Sequence, residues 1–302
     1  MIKKRKFWTE EEDKILLSKS PDESWESLRI RSIPNRTYSA VENRVDQLGL
    51  KSPYLTPIKN TFDKDVWKNI TPNSCYFGGF SAADGSIFKT SEKRNYHTFA
   101  IEIQKSDQIV LELFKEFCSF DGPITTRTVN GGNYSKIRIS TKNFWQQDLE
   151  KTFGIVQNKT HILQPPNLDS DFLTYCFLTG FFDGDGHISQ KDYRLYLTAT
   201  IASFDFAYWA QDFLNNIVDD RLGLKKRPRK VQNFKIAGND KIYPKISVCG
   251  LPAAIIIDLF RQLPVPRLKR KWDKPEVLNF IEQKKLKHPE KFLTLEIPAQ
   301  FR

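Results

Sequence analysis

One stretch of the chain occurs twice, and this repeat constrains the fold more than any other feature. Cys75-Tyr-Phe-Gly-Gly-Phe-Ser-Ala-Ala-Asp-Gly85 aligns without gaps on Cys176-Phe-Leu-Thr-Gly-Phe-Phe-Asp-Gly-Asp-Gly186, at an offset of 101 residues. Self-similarity of this kind marks a duplicated structural unit. After each copy the hydrophobic period changes from that of a helix to that of a strand. Ile87 and then Phe99, Ile101 and Ile103 alternate with Thr98, Ala100, Glu102 and Gln104; Ile188 and then Leu195, Leu197, Ala199 and Ile201 alternate with Tyr196, Thr198, Thr200 and Ala202. Each copy therefore feeds a sheet with one buried and one polar face. Amphipathic helices are predicted near 107–117 and 205–221, then two more strands, then helices near 142–153 and 251–263. The predicted order is αββαββα, twice, in an α+β fold.

Small residues recur on one face of both repeated helices, Gly79, Ala82 and Ala83 in the first and Gly180 and Gly184 in the second. Such faces let two backbones approach closely, so the helices are expected to meet about a pseudo-twofold axis. Each then ends in Asp-Gly. A carboxylate in the last turn faces the negative end of the helix dipole, an unfavourable placement by roughly 0.3–1 kcal/mol. Asp-Gly is also an ordinary helix stop, but two matched copies whose acids, Asp84 and Asp185, would also repel each other call for a cation. A hard divalent ion held by few carboxylates, with water and phosphate oxygens completing its shell, suits that arrangement.

The formal net charge of +11 makes nucleic acid the expected partner. Basic residues cluster at 3–6, at Lys225, Lys226, Arg227, Arg229 and Lys230, and at 267–271. Aromatic residues at 13% exclude a disordered polyelectrolyte. The four cysteines, Cys75, Cys118, Cys176 and Cys249, are far apart and read as reduced, buried thiols rather than a zinc site or disulfide framework. His97, His161, His187 and His288 show no pairing that would suit a zinc site. No apolar run is long enough to span a membrane, and a soluble, intracellular protein is expected.

Residues 1–52 read as a small three-helix bundle. Thr9 is placed to cap a first helix that opens with Glu10, Glu11, Glu12 and Asp13; Trp25 and Leu28 point inward from a second; Val41, Val45 and Leu48 form the inner face of a third, which Gly49 ends. Arg36, Tyr38, Asn43, Arg44 and Gln47 project elsewhere and are candidates for DNA contact. Trp8, Trp25, Pro34-Asn35-Arg36-Thr37, Val41, Arg44 and Leu48-Gly49-Leu50 resemble the Myb/SANT helix-turn-helix family, which implies a third helix in the major groove. A protein-binding SANT-like module is the alternative. Residues 53–71, with Pro53 and Pro57, read as a linker.

Phe77 to Gly85, and more fully Leu178-Thr-Gly-Phe-Phe-Asp-Gly-Asp-Gly186, resemble the LAGLIDADG motif. The resemblance spans residues 72 to about 285 and implies two pseudo-symmetric αββαββα units, 72–168 and 169–302, forming a saddle of antiparallel sheets. It implies a monomeric homing endonuclease of a mobile intron that cuts both strands of a long, asymmetric duplex site and leaves short 3′ overhangs. Mg²⁺ is the implied cofactor, with Mn²⁺ substituting and Ca²⁺ binding without efficient cleavage. Asp84 and Asp185 would be metal-binding acids, with the main-chain carbonyls of Ala83 and Gly184 as further ligands. Gln104 resembles the strand-end glutamine that orders water, with Lys105 as the alternative, and the second copy has Ala202 at the matching place. Lys159 and Lys271 are the implied basic residues, with Lys269 as the alternative. The first motif departs from the second by Ser81 and Ala82 in place of Phe182 and Asp183, leaving the acid intact.

Period-two alternation places Ser86, Phe88, Thr90, Thr98, Ala100 and Glu102 on the polar face of the first sheet, and His187, Ser189, Lys191, Tyr196, Thr198 and Thr200 on that of the second. With Lys225, Arg227 and Arg229, the polar residues of these faces are the expected DNA contacts. A non-cleaving DNA-binding regulator or an RNA maturase on the same scaffold is the alternative, and both acids are present here. An intein is disfavoured because the ends, Met1 and Ala299-Gln300-Phe301-Arg302, lack splice-junction residues.

Overall fold

The structure is a computed structural model that describes residues 7–20, 23, 25–50, 60–89, 97–141, 144–223, 231–235, 242–292 and 294–301. It divides into two compact units, Met1–Asn60 and Thr61–Arg302.

The first unit has helices α1 (Glu10–Leu17), α2 (Trp25–Ser32) and α3 (Tyr38–Gln47). Thr9 caps α1 as its sequence predicts: its hydroxyl accepts from the Glu12 N–H at 3.2 Å, and the Glu12 carboxylate accepts from the Thr9 N–H at 3.0 Å. Leu16, Trp25, Leu28, Ile33, Val41 and Val45 form the core. Gly49 takes φ +68° after α3, and the Leu50 N–H closes back on the Val45 carbonyl at 3.0 Å.

The second unit contains the duplicated αββαββα pattern. Its first copy runs α4 (Pro72–Asp84), β1 (Gly85–Lys89), β2 (His97–Gln104), α5 (Ile109–Phe117), β3 (Thr125–Val129), β4 (Gly132–Thr141) and α6 (Phe144–Phe153). The other runs α7 (Asp171–Gly184), β5 (Gly186–Lys191), β6 (Arg194–Thr200), α8 (Phe204–Leu222), β7 (Gln232–Lys235), β8 (Ile242–Cys249) and α9 (Leu251–Arg261). Both sheets are antiparallel, with orders β1-β2-β4-β3 and β5-β6-β8-β7. Two helices that the alternation of the repeat did not predict follow, α10 (Lys269–Trp272) and α11 (Pro275–Lys287).

The inner face of the first sheet presents Ile87, Phe99, Ile101, Ile103, Ile137 and Ile139, and that of the second presents Ile188, Leu195, Leu197, Ala199, Ile246 and Val248; all are buried in one continuous core. The period-two reading of both β-hairpins therefore holds.

The expected linker is shorter than 53–71. Residues 61–71 belong to the second unit: Trp67 is fully buried among Phe99, Phe114, Phe117 and Trp145. The Asp63 N–H donates to the Cys118 carbonyl at 2.8 Å, and Trp145 Nε1 donates to the Asp63 carbonyl at 3.1 Å. Prolines and polar residues suggested a linker, but one tryptophan with a large apolar area outweighs them. Pro53 and Pro57 lie outside the described residues. Cys75, Cys118 and Cys176 are buried thiols, whereas Cys249 is exposed, contrary to expectation, because β8 turns it to the polar face opposite Tyr196. Among the described residues no helix is long and apolar enough to cross a membrane.

Candidate active site

The two repeated helices pack backbone to backbone. A Cβ on Gly79 would lie 1.8 Å from the Phe177 carbonyl oxygen, and one on Gly180 would lie 1.9 Å from that of Tyr76. These contacts are reciprocal under the 101-residue offset, so the helices are related by a pseudo-twofold axis at the glycines. Lower down, a Cβ on Gly184 would lie 2.3 Å from the Ala83 Cβ and 3.0 Å from Asp84 Oδ2. The crossing thus carries both C-terminal ends, and both acids, to one place.

Asp84 is the last residue of α4 and Asp185 caps α7. Burial and then the charge of Asp185 push the Asp84 carboxyl up to about 6, against the pull of Lys271 and Lys159. Asp185 is raised by its surroundings too, although its side chain reaches solvent, while the same two ammonium groups hold it down. Among the described residues no group of three or more His, Cys, Asp or Glu side chains converges. The protein thus offers one carboxylate from each helix.

Lys159 and Lys271, the two implied basic residues, lie at the helix ends. Lys159 Nζ donates to the Ala83 carbonyl at 3.2 Å. The buried Lys271 Nζ reaches four carbonyls, those of Phe182 at 3.1 Å, Asp183 at 2.5 Å, and Gly184 and Gly186 at 2.8 Å. Three ammonium protons serving four acceptors means that one is shared. Burial lowers the pKa of both lysines, and the nearby acids, Asp185 and Asp84 for Lys159, Asp183 first for Lys271, oppose that. The Ala83 and Gly184 carbonyls, expected as further metal ligands, each accept from one of these lysines. The cause is the helix dipole itself: last-turn carbonyls have no intrahelical donor, and a cation placed there satisfies them.

How Lys271 is held was not legible in the sequence. Asp183 is buried and accepts from Tyr76 Oη at 2.7 Å, the Leu268 N–H at 2.9 Å and Trp272 Nε1 at 2.6 Å. Burial raises its carboxyl to about 6, with those three donors and Lys271 pulling downward. Arg270 pairs with the buried Asp107, its Nε donating to Oδ1 at 2.6 Å. Carboxylates therefore fix residues 268, 270 and 272 and leave Lys271 aimed at the end of α7. The only hint was the motif difference at Ala82 and Asp183; its partners lie 85 to 107 residues away in the chain.

Gln104 is exposed at the end of β2. Gly85 pairs with Ile101 and Gly186 with Ala199, so the positions three residues further on, Gln104 and Ala202, correspond. A cleft of about 400 Å³ opens beside Asp185, lined by Ala82, Ala83, Lys159, Thr160, Leu163, Thr200, Ile201, Ala202 and Tyr243.

The outer face of the first sheet bears Ser86, Phe88, Thr98, Ala100 and Glu102 in register with Ser140, Arg138 and Lys136. Phe88 belongs there because the Arg138 guanidinium lies 5.6 Å from its ring centroid. Two residues of this face are less available than expected. Thr98 is buried, its hydroxyl 3.4 Å from that of Ser140, and Glu102 is held by Arg127 and Lys136, its carboxylate accepting from Lys136 Nζ at 3.0 Å. On the second sheet His187, Ser189, Lys191, Tyr196, Thr198 and Thr200 share the outer face. Thr90, Lys225, Arg227 and Arg229 lie outside the described residues.

In the first unit two of the expected DNA contacts, Arg36 and Arg44, are engaged within the protein. Arg36 is buried, its Nε donating to Glu12 Oε1 at 2.8 Å and its guanidinium 4.4 Å from the centroid of Trp8. Arg44 Nε donates to Asp13 Oδ1 at 2.7 Å, and its NH1 donates to Gln47 Oε1 at 3.1 Å. The acids of the first turn of α1, read as dipole partners, are anchors for these arginines. Tyr38 and Asn43 remain exposed.

No profile of a known protein family matches the chain, and no curated protein sequence does. Among solved structures it is similar to I-SmaMI, described as a LAGLIDADG homing endonuclease bound to cleaved DNA, with 13% identity and a TM-score of 0.41 over 73% of this chain and 92% of that one. It is similar also to I-LtrWI bound to target DNA, with 14% identity and a TM-score of 0.41 over 75% and 93% of the two chains. For the LAGLIDADG meganuclease I-CpaMI bound to uncleaved DNA the values are 13% and 0.40 over 74% and 94%.

Proposed function

We propose that the protein is a site-specific endonuclease of LAGLIDADG type that hydrolyses both strands of duplex DNA with Mg²⁺. The observation that carries this reading is the meeting of Asp84 and Asp185 at a glycine-lined helix crossing, each followed at once by the first strand of a sheet with a polar outer face. A mutually repelling carboxylate pair that is partly desolvated gains from a divalent cation, and two carboxylates with open positions left to water and phosphate suit Mg²⁺. Such an ion supplies Lewis-acid activation of water and stabilisation of the leaving oxygen.

The chain's own residues then have separate tasks. Asp84 and Asp185 would hold the cation, while Lys159 and Lys271 neutralise the helix ends and keep the carboxylates from being wholly uncompensated. Gln104 orders water at the β2 end. Residues of the outer sheet faces, among them His187, Ser189, Lys191, Tyr196 and Thr198, contact the duplex, which the net charge of +11 attracts. One chain supplies both acids, so a monomer suffices. In the three-helix unit, a Myb-like module in this reading, Tyr38 and Asn43 face the DNA, and Arg36 and Arg44 brace α3 against α1.

Incubation with a randomised duplex library, with Mg²⁺ and then with EDTA, tests the proposal. The expected result is metal-dependent cutting at one preferred sequence, leaving short 3′ overhangs. Tight binding without cuts would identify a DNA-binding regulator instead. Asp84→Asn and Asp185→Asn should each retain binding and lose double-strand cleavage, and undiminished cutting by either would reject its role.

A further inference from the structure

We propose that Tyr243 completes the Asp185 half of the site, at the place where a second glutamine is missing, so that the two DNA strands are cut in chemically different surroundings. This rests on the endonuclease reading above. In the first sheet the ladder pairs Gln104 with Tyr134. In the second it pairs Thr200 with Lys245, and the Ile201 N–H continues that register by donating to the Pro244 carbonyl at 3.2 Å. Extended by one residue beyond that bond, the same register sets Ala202 opposite Tyr243. Gln104 and Tyr134 thus have Ala202 and Tyr243 as their counterparts.

The two tyrosines are used differently. A Cβ built on Gly132 would lie 3.0 Å from the Tyr134 ring, so that ring lies along its own strand toward the β3–β4 turn. Tyr243 instead lines the cleft beside Asp185, where the methyl of Ala202 leaves open the space a glutamine would fill. The same cleft of about 400 Å³ receives Lys159, Thr160 and Thr200. The lining residues thus include one carboxylate, one lysine and three hydroxyl-bearing side chains, a set that suits a phosphodiester and the water that attacks it.

Tyr243 acts here only as a hydrogen-bonding group. Its hydroxyl orients the water whose oxygen bonds to phosphorus as the bond from phosphorus to the 3′ oxygen breaks. The water loses a proton to solvent, the 3′ oxygen gains one, and the products are a 5′-phosphate and a 3′-hydroxyl. On the other strand Gln104 does the orienting.

The test uses the full-length protein and the duplex selected from the randomised library, with each strand labelled separately. Tyr243→Phe should slow one strand about tenfold, the worth of one hydrogen bond, while Gln104→Ala slows the other strand and Ala202→Gln added to Tyr243→Phe restores the first. An equal effect of Tyr243→Phe on both strands, or none, overturns the inference. Should Tyr243→Phe fail to fold, Ala202→Gln alone is expected to shift the ratio of strand rates, and an unchanged ratio overturns it. A wild-type protein that cuts neither strand overturns the endonuclease reading itself, which separates the two failures.

Discussion

At the end of α4 one lysine reaches one carbonyl, whereas at the end of α7 one lysine reaches four and is flanked by residues pinned to buried carboxylates. The helices otherwise match, glycine against backbone and acid against acid. The comparison separates what the duplicated architecture requires from what each half adds. The crossing and the carboxylates are shared because closing the pseudo-twofold pair depends on both copies. The cation that satisfies each helix end comes from outside the repeat, from the turn after α6 in one half and from α10 in the other, so the two supports differ.

If the shared part is as symmetric as the contacts indicate, Gly79→Ala and Gly180→Ala should be equally severe. Each puts a methyl within 2 Å of a main-chain oxygen that cannot move aside without parting the helices. A loss of about 3–5 kcal/mol or failure to fold is expected for both. Urea unfolding that finds one of them well tolerated would break the symmetry argument.

The unshared part predicts inequality. Lys271→Met should cost about 3 kcal/mol, since it strips four charge-assisted hydrogen bonds from the buried end of α7, and Lys159→Met, which strips one, about 1 kcal/mol. Equal shifts in the denaturation midpoint would show that the four-carbonyl arrangement adds nothing to the single one.

A further effect concerns pH. A carboxyl raised from 3.8 to about 6 binds its proton more tightly in the folded state than in the unfolded one. Stability is therefore lost as pH rises from about 4 to about 6, and the full cost remains above that window. Asp84→Asn should then stabilise the metal-free protein by about 2 kcal/mol at pH 7.5, and this gain should vanish below about pH 4. Mg²⁺ should raise the melting temperature of the wild type more than that of Asp84→Asn. Thermal melts in EDTA and in Mg²⁺ at several pH values measure both, and a gain independent of pH would remove the electrostatic account of the pair.

The sequence by itself determined the periodic features. Alternation from Ile87 to Gln104 and from Ile188 to Ala202 specified both β-hairpins and their buried faces, Thr9 with Glu12 specified a helix start, and the matched Asp-Gly ends specified two acids in equivalent places. These depend on local backbone geometry, and neighbours in the chain encode it. Tertiary structure alone decided the rest. Residues 61–71 became core because Trp67 found a cavity among distant rings, Arg36 and Arg44 were drawn to Glu12 and Asp13 and away from the outer surface, and Asp183 found three donors far along the chain. Periodicity says which way a side chain points from its own helix or strand; which charge or ring it then meets depends on segments folded against it from elsewhere.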